Sequence, residues 1–466
     1  MHRRNFITTA GVAACGSALL SDAAATPARR NILIITTDQQ FAEAASYRIG
    51  TKYIHTPNMD SLAANGMVFT RAYCANPLCV PSRAAMFTGR YPTETGVMDN
   101  DDRTKVHLDP KKFPLMGKLF HDAGYRTGYF GKWHLPLPEK QVEQHGFTEY
   151  ETPQDDPLTS ANVVKFLRSK HDAPFLLMAS FLNPPNIAEW ARGQKLPLGD
   201  VGIPPPADQL PPLRPNHQPQ TDEPDIVSLV RRSYQAAPMF PVADFDEIKW
   251  RQYIWAYYRM IEKVDREIGL VLQALRETGL DRSTLVVLSA DHGDSQGSHG
   301  WNQKTILYEE ATRIPFVMSC PGVVKPGTSD HLVNTGIDLI PTICDYAGIA
   351  VPKELPGMSL KETANGRKGP DPRPFVVVSD RLIQGAPIDG RTPTPDGRML
   401  CGKRYKYCAW SEGKLRESLV DLDKDPGEMK NLAPDRKFAK ILNQHRAMLA
   451  EWCAKTHDSF VVPSQS

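Results

Sequence analysis

Asn31-Ile32-Leu33-Ile34-Ile35-Thr36 is a continuous apolar run rich in β-branched side chains, and it stops at Thr37-Asp38-Gln39-Gln40. A strand with one wet face alternates apolar and polar residues. A run without alternation suits a strand buried on both faces, as in a parallel sheet. Thr284-Leu285-Val286-Val287-Leu288-Ser289 repeats the pattern and stops at Asp291-His292-Gly293-Asp294, and Pro174-Phe175-Leu176-Leu177-Met178-Ala179 is a third such run. Helical patterns lie between them. In the clearest, Ile254, Tyr257, Ile261, Val264, Ile268, Val271 and Leu275 are spaced alternately three and four apart, which puts them on one helix face as core packing. Buried strands alternating with helices predict an α/β sandwich with a large, mostly parallel sheet flanked by helices. Ligands of such sheets gather at the carboxyl ends of strands. The acidic clusters at Asp38 and Asp291 fall there.

Residues 192–244 break the pattern. Pro204-Pro205-Pro206 and Pro211-Pro212 dominate a stretch with few apolar runs, which reads as a long excursion from the core. Two readings stand for it: a loop that shapes the active site, or a passive surface wrap. After about residue 350 short strand patterns with hairpin turns take over, at Phe375-Val376-Val377-Val378-Ser379, Gly397-Arg398-Met399-Leu400, Tyr405-Lys406-Tyr407-Cys408-Ala409-Trp410 and Glu417-Ser418-Leu419-Val420-Asp421-Leu422. With a terminal helix near 437–455, they predict a smaller antiparallel sheet with a packed helix. The expected organisation is a targeting segment over 1–25, a catalytic domain over 26–350 and a C-terminal subdomain over 351–466.

The net charge of +2 provides no basic field for nucleic acid and no acidic one for cationic partners. Forty prolines in a chain 41% hydrophobic indicate ordered loops rather than disorder. Past the N-terminus no apolar stretch is long enough to span a bilayer, so no transmembrane segment is expected in the mature chain. Arg3-Arg4-Asn5-Phe6-Ile7 has a twin-arginine pattern. A weakly apolar run and Ala23-Ala24-Ala25, a small-residue cleavage site, follow it. The expectation is export to the periplasm or beyond, by a route that carries folded proteins. Val12-Ala13-Ala14-Cys15 resembles a lipobox and keeps a lipoprotein reading open. Cys401 and Cys408 flank a hairpin turn, and a disulfide across it and a pair of buried thiols are both open.

Cys79-Val80-Pro81-Ser82-Arg83 is the most specific feature. It leads into Ala84-Ala85-Met86-Phe87-Thr88-Gly89-Arg90, which reads as a helix start, where proline is welcome. Cys79 would then lie at a helix N-terminus, where free N–H groups favour an anion, and Arg83 adds a planar cation suited to an oxyanion. Asp38, Gln39, Asp291 and His292, at two strand ends, offer the oxygen-rich donors of a Ca²⁺ or similar divalent cation site.

Over Asn31 to at least Leu432 the chain resembles the formylglycine-dependent sulfatase family, whose signature Cys-x-Pro-Ser-Arg matches residues 79–83. The likeness extends to Thr88-Gly89-Arg90-Tyr91-Pro92, Gly131-Lys132-Trp133-His134, Asp291-His292-Gly293-Asp294, Tyr308-Glu309-Glu310, and the segment from Leu419-Val420-Asp421-Leu422-Asp423 to Asn431-Leu432. It implies the alkaline-phosphatase-like fold and a formylglycine made from Cys79 by a separate maturation enzyme. It also implies a cation on Asp38, Gln39, Asp291, His292 and residue 79, and hydrolysis of sulfate esters. Lys132 would hold the sulfate or the formylglycine hydrate, Lys304 would contact the sulfate and assist the leaving oxygen, and His134 would act as base on the hydrate. His299 would serve beside them or be structural. Export favours a sulfated carbohydrate as substrate, and Trp190 and Trp301 would stack on sugars or pack in the core.

Two departures stand out. Gln39 occupies a position where many sulfatases carry an aspartate. The loop after the third buried run reads Phe181-Leu182-Asn183-Pro184-Pro185-Asn186, with Pro185 or Asn186 where a histidine is expected. Protonation of the leaving group then falls to Lys304, to His299 or to a residue from the excursion, or it is impaired. Two rivals remain: a phosphonate monoester or phosphodiester hydrolase of the same fold, and a non-catalytic sulfated-glycan binding protein.

Overall fold

The computed structural model describes residues 29–369, 372–381 and 385–464. The twin-arginine segment, the candidate cleavage site and Cys15 lie outside the described residues. Eight strands form the large sheet: β1 (Asn31–Thr37), β2 (Met67–Tyr73), β3 (Arg126–Gly131), β4 (Glu149–Glu151), β5 (Phe175–Ser180), β6 (Thr284–Ala290), β7 (Phe316–Ser319) and β8 (Gly327–Asn334). Their order is β4-β3-β5-β1-β6-β7-β2-β8, and every pairing is parallel except those of β7 with β6 and β2. All seven residues of β1 and of β6 are buried. The unbroken apolar runs follow from this position. Leu33 and Ile35 enter the core on one face, and Ile32 and Ile34 enter the core on the other.

The helix Glu247–Glu277 closes the first face and buries all seven residues of the three-and-four stripe. The helix Cys79–Thr88 lies on the second face beneath the helix Thr335–Ala347, and all ten of its residues are buried. Gly336 permits that approach, because a Cβ there would lie 2.6 Å from the Ala75 Cβ and 2.9 Å from the Ala85 Cβ. Strands β9 (Phe375–Arg381), β10 (Asp396–Gly402), β11 (Tyr405–Trp410) and β12 (Glu417–Asp421) make a separate antiparallel sheet, ordered β12-β11-β10-β9, with the helix Ala439–Thr456 against it. Cys401 stands opposite Lys406 and Cys408 opposite Met399, so the two cysteines are not cross-strand partners. All seven cysteines among the described residues are free, buried thiols. Among the described residues no helix is long and apolar enough to cross a membrane.

The proline-rich excursion contains a helix, Asp225–Ala236. Its extended part runs between the two sheets' loops. Thr221 exchanges backbone hydrogen bonds with Met429 and Asn431, and Arg251 of the long helix donates to the Pro211 and Leu210 carbonyls.

Candidate active site

Strands β1 and β6 are neighbours in register, Thr37 opposite Ala290, so the next residues of each bring Asp38 and Asp291 together at the carboxyl edge. The Gln39 amide donates to Asp291 Oδ1 at 3.0 Å. Gln39 sits at φ 61°, a left-handed backbone that costs energy for a residue with a side chain. This kink turns its side chain sharply off the strand. Gly293 is required for contact reasons: a Cβ there would lie 1.9 Å from the Glu310 carbonyl oxygen.

Cys79 is the first residue of its helix, after an extended Leu78, and is 2% exposed. Its Sγ lies 3.2 Å from His292 Nε2, 3.1 Å from Lys304 Nζ and 3.9 Å from Asp38 Oδ1. Arg83, one turn on, spends its fork inside the protein. Nε donates to Asp291 Oδ2 at 2.9 Å, Nη2 to Asp38 Oδ2 at 3.3 Å, and Nη1 to the Lys132 carbonyl and Ser180 Oγ. Arg83 therefore braces the two carboxylates. Lys132 Nζ, from the turn after β3, pairs with Asp38 Oδ2. Lys304 Nζ also donates to Gln39 Oε1 at 2.9 Å, and Gln39 Nε2 donates to Asp294 Oδ2 at 2.7 Å.

The charges explain one another. Burial pushes Asp38 up, but Lys132, Lys304 and Arg83 outweigh it and hold the carboxyl far below the usual range. Burial and the adjacent Asp38 carboxylate push Asp291 up. Burial and Asp38 also raise the Cys79 thiol, yet Lys132, Lys304 and His292 prevail and keep it well below the ordinary thiol value. Burial would discharge Lys304, but Cys79, Asp38 and Asp291 keep it protonated. Burial lowers His134, so its imidazole is neutral at pH 7 with Cys79 beside it. Its Nδ1 is buried without a hydrogen-bond partner among the described residues, and its backbone is left-handed at φ 50°.

His299 is brought elsewhere. Its ring stacks on Tyr308 at 3.7 Å, Asn216 lies 3.3 Å from its Nε2, and none of its hydrogen-bond or stacking contacts reaches the Cys79 cluster. Burial takes it down to about 4, so it is neutral at pH 7 and is not the imidazolium that a general acid would need. Asn183 and Asn186, in the loop after β5, are buried. Trp301 is core, 1% exposed and stacked on Tyr234, whereas Trp190 packs against Tyr253 under Lys249.

Sequence reasoning missed the support of the Lys304 segment. Asn216, from the excursion, accepts through its carbonyl from His299 N at 2.6 Å and through Oδ1 from Ser298 Oγ at 3.0 Å. Its Nδ2 donates to Glu310 Oε1 at 2.9 Å. From the turn after β12, Glu428 Oε2 accepts from Glu309 N at 2.7 Å, and Lys406 of β11 pairs with both Glu309 and Glu428. A lone asparagine in a proline-rich stretch gives no signal in sequence, nor does a lysine in a strand.

Asp38, Cys79, Asp291 and His292 offer ligand atoms that all lie within 4.8 Å of one another, fully buried. Gln39 Oε1 retains a second lone pair beside its bond to Lys304. Two carboxylates, an amide oxygen and an imidazole fit a hard divalent cation at position 79. The ammonium groups of Lys132 and Lys304 beside them fit a multiply charged oxyanion.

Residues 30–349 match the Sulfatase family model. The chain is 34% identical to Delta 4,5-hexuronate-2-O-sulfatase of Bacteroides thetaiotaomicron, covering 97% of this chain and 93% of that protein. It is 28% identical to an ulvan-active sulfatase of Formosa agariphila, over 93% and 83%. A solved 2-O GAG sulfatase superposes with a TM-score of 0.81 at 32% identity, over 94% and 95%. With the Cys79 motif, the buried acidic centre and the family match in agreement, the chain belongs to the sulfatase family of sulfuric ester hydrolases.

Proposed function

We propose that this enzyme removes a sulfate ester from a sulfated uronate-containing oligosaccharide, using formylglycine at position 79 and a divalent cation. The observation that carries the reading is Cys79 Sγ, set between Lys304, His292 and Asp38 at the start of a buried helix. The likeness to a hexuronate-2-O-sulfatase over nearly the whole chain supports the substrate class. Hydrated formylglycine would supply one hydroxyl for attack on sulfur and a second for release of sulfate, and the cation would polarise the oxygens around it. Asp38, Gln39, Asp291 and His292 would hold that cation, with Arg83 fixing both carboxylates. Lys132 and Lys304 bind the equatorial oxygens and stabilise the charge that grows there. Lys304, kept protonated beside residue 79, donates to the leaving oxygen in place of the absent loop histidine. His134, neutral and facing residue 79, accepts the proton whose removal releases sulfate. The twin-arginine segment serves export of the folded, matured protein.

The test compares native protein, co-expressed with a formylglycine-generating enzyme, with the Cys79→Ala variant on a 2-O-sulfated unsaturated hexuronate disaccharide. Sulfate release by the native protein and none by the variant is expected. Undiminished release by Cys79→Ala, or phosphodiester turnover exceeding sulfate turnover, would overturn the reading. Binding without turnover by the matured protein would favour a glycan-binding role.

A further inference from the structure

Beside His134 a groove of about 630 Å³ opens between two segments, residues 103–107 and residues 133–140. Leu135 and Leu137 are buried in its floor, and Arg103, Lys105, His107 and Lys140 are exposed along its rim. The first wall is tied to the reacting centre. Asn100 Oδ1 accepts from Val80 N, the residue after Cys79, at 3.0 Å. The second wall begins at His134, which both lines the groove and faces Cys79. His134 therefore stands at once beside Cys79 and in the lining of this groove, so a chain bound with one sugar at Cys79 has the groove next to it.

The charges in the groove are not matched. Glu139 is the acidic residue of the lining, and its carboxylate accepts from Thr152 Oγ1 at 2.6 Å. Lys105 pairs with Asp101 at 3.4 Å. Arg103 and Lys140 have no ion-pair or hydrogen-bond partner for their side chains among the described residues. Two unpaired cations over an apolar floor suit a sugar ring that carries an anionic substituent.

Resting on the sulfatase reading above, we propose that this groove is a subsite for the sugar adjacent to the one that loses its sulfate, and that Arg103 and Lys140 recognise a sulfate group on that neighbour. In a glycosaminoglycan, uronic acids alternate with hexosamines. The neighbour of a sulfated uronate is thus a hexosamine without a carboxylate, and its anion is a sulfate. The site would make the enzyme act on multiply sulfated chains ahead of sparsely sulfated ones.

The test uses the matured full-length enzyme and two 2-O-sulfated unsaturated hexuronate disaccharides, one with and one without a 6-O-sulfate on the hexosamine. The native enzyme should show a KM about tenfold lower for the doubly sulfated substrate with similar kcat, as expected for two rim charges acting on binding. In the Arg103→Gln/Lys140→Gln double variant that ratio should fall to near one. An absent preference in the native enzyme, or a preference that survives in the double variant, overturns the subsite. If the native enzyme releases no sulfate from either disaccharide, the functional reading fails. The subsite is then still decided by calorimetric binding of the doubly sulfated disaccharide to the native and double-variant proteins.

Discussion

Replacing Lys406 by methionine should both unlock the second sheet from the catalytic sheet and loosen the Lys304 segment. Lys406 is 1% exposed, and its ammonium lies 2.8 Å from Glu428 Oε1 and 3.2 Å from Glu309 Oε1. Two carboxylates compete for this one cation. Lys406 is accordingly held charged against its burial, while burial raises Glu428 to about 7 even with the lysine present. Removing one partner of a buried ion pair costs about 3–5 kcal/mol, a large share of the roughly 5–15 kcal/mol that holds a domain folded. Without Lys406 the Glu428 carboxyl rises further. A carboxyl raised in the folded state contributes stability at low pH that is lost as pH rises through its folded value. The penalty should therefore be larger at pH 8 than at pH 5. Glu309 keeps Arg313 at 3.0 Å, so adding Glu428→Gln, which leaves an acceptor for Glu309 N, should restore most of the loss. The assay is urea unfolding of native, Lys406→Met and Lys406→Met/Glu428→Gln proteins at both pH values, with kcat/KM on the same samples. The single variant should also lose about tenfold in kcat/KM through misplacement of Lys304. A penalty below about 1 kcal/mol at pH 8, or no recovery in the double variant, would refute the reasoning.

Asp380, buried in β9 with no partner for Oδ1 among the described residues, is pushed up by burial to about 7. Its charging should cost stability as pH rises from about 4 to 7, on the order of 4 kcal/mol in full, and Asp380→Asn should flatten that slope in pH-dependent denaturation. Lys304→Met should lower kcat by about 10²–10³ and also raise KM, because the lysine binds the sulfate as well as stabilising the transition state, measured by steady-state sulfate release. Exhaustive chelation should lower both the melting temperature and the activity, and added calcium should restore both, because a ligand of the folded state alone stabilises it by mass action. An unchanged melting temperature would argue against the Asp38 and Asp291 cation site.

The sheet was readable because its strands are short and buried on both faces, which writes Asn31–Thr36 and Thr284–Ser289 as unbroken apolar runs. The clustering of Asp38, Asp291, His292 and Cys79 was readable because these residues sit at the ends of those runs and in one compact helix start. The C-terminal sheet showed through its alternating hairpins. What sequence did not disclose is long-range polar pairing. Asn216 and Lys406 have no periodicity or local signature, and their significance lies in partners 83 and 97 positions away. Arg83 illustrates a different limit. Its position one turn from Cys79 suggested an oxyanion ligand, but a guanidinium this deeply buried is taken by Asp38 and Asp291. His299 likewise stood close to Lys304 in sequence, yet its left-handed backbone at φ 54° is part of a turn that packs the ring against Tyr308.

The most direct measurement of the central claim is peptide mass spectrometry across Cys79, on protein co-expressed with a formylglycine-generating enzyme and assayed for sulfate release in the same preparation. The account predicts the mass change for a thiol replaced by an aldehyde oxygen, and turnover that rises in proportion to the converted fraction. Full turnover from protein whose Cys79 remains an unmodified thiol would contradict it, as would complete conversion without release of sulfate from any sulfate ester.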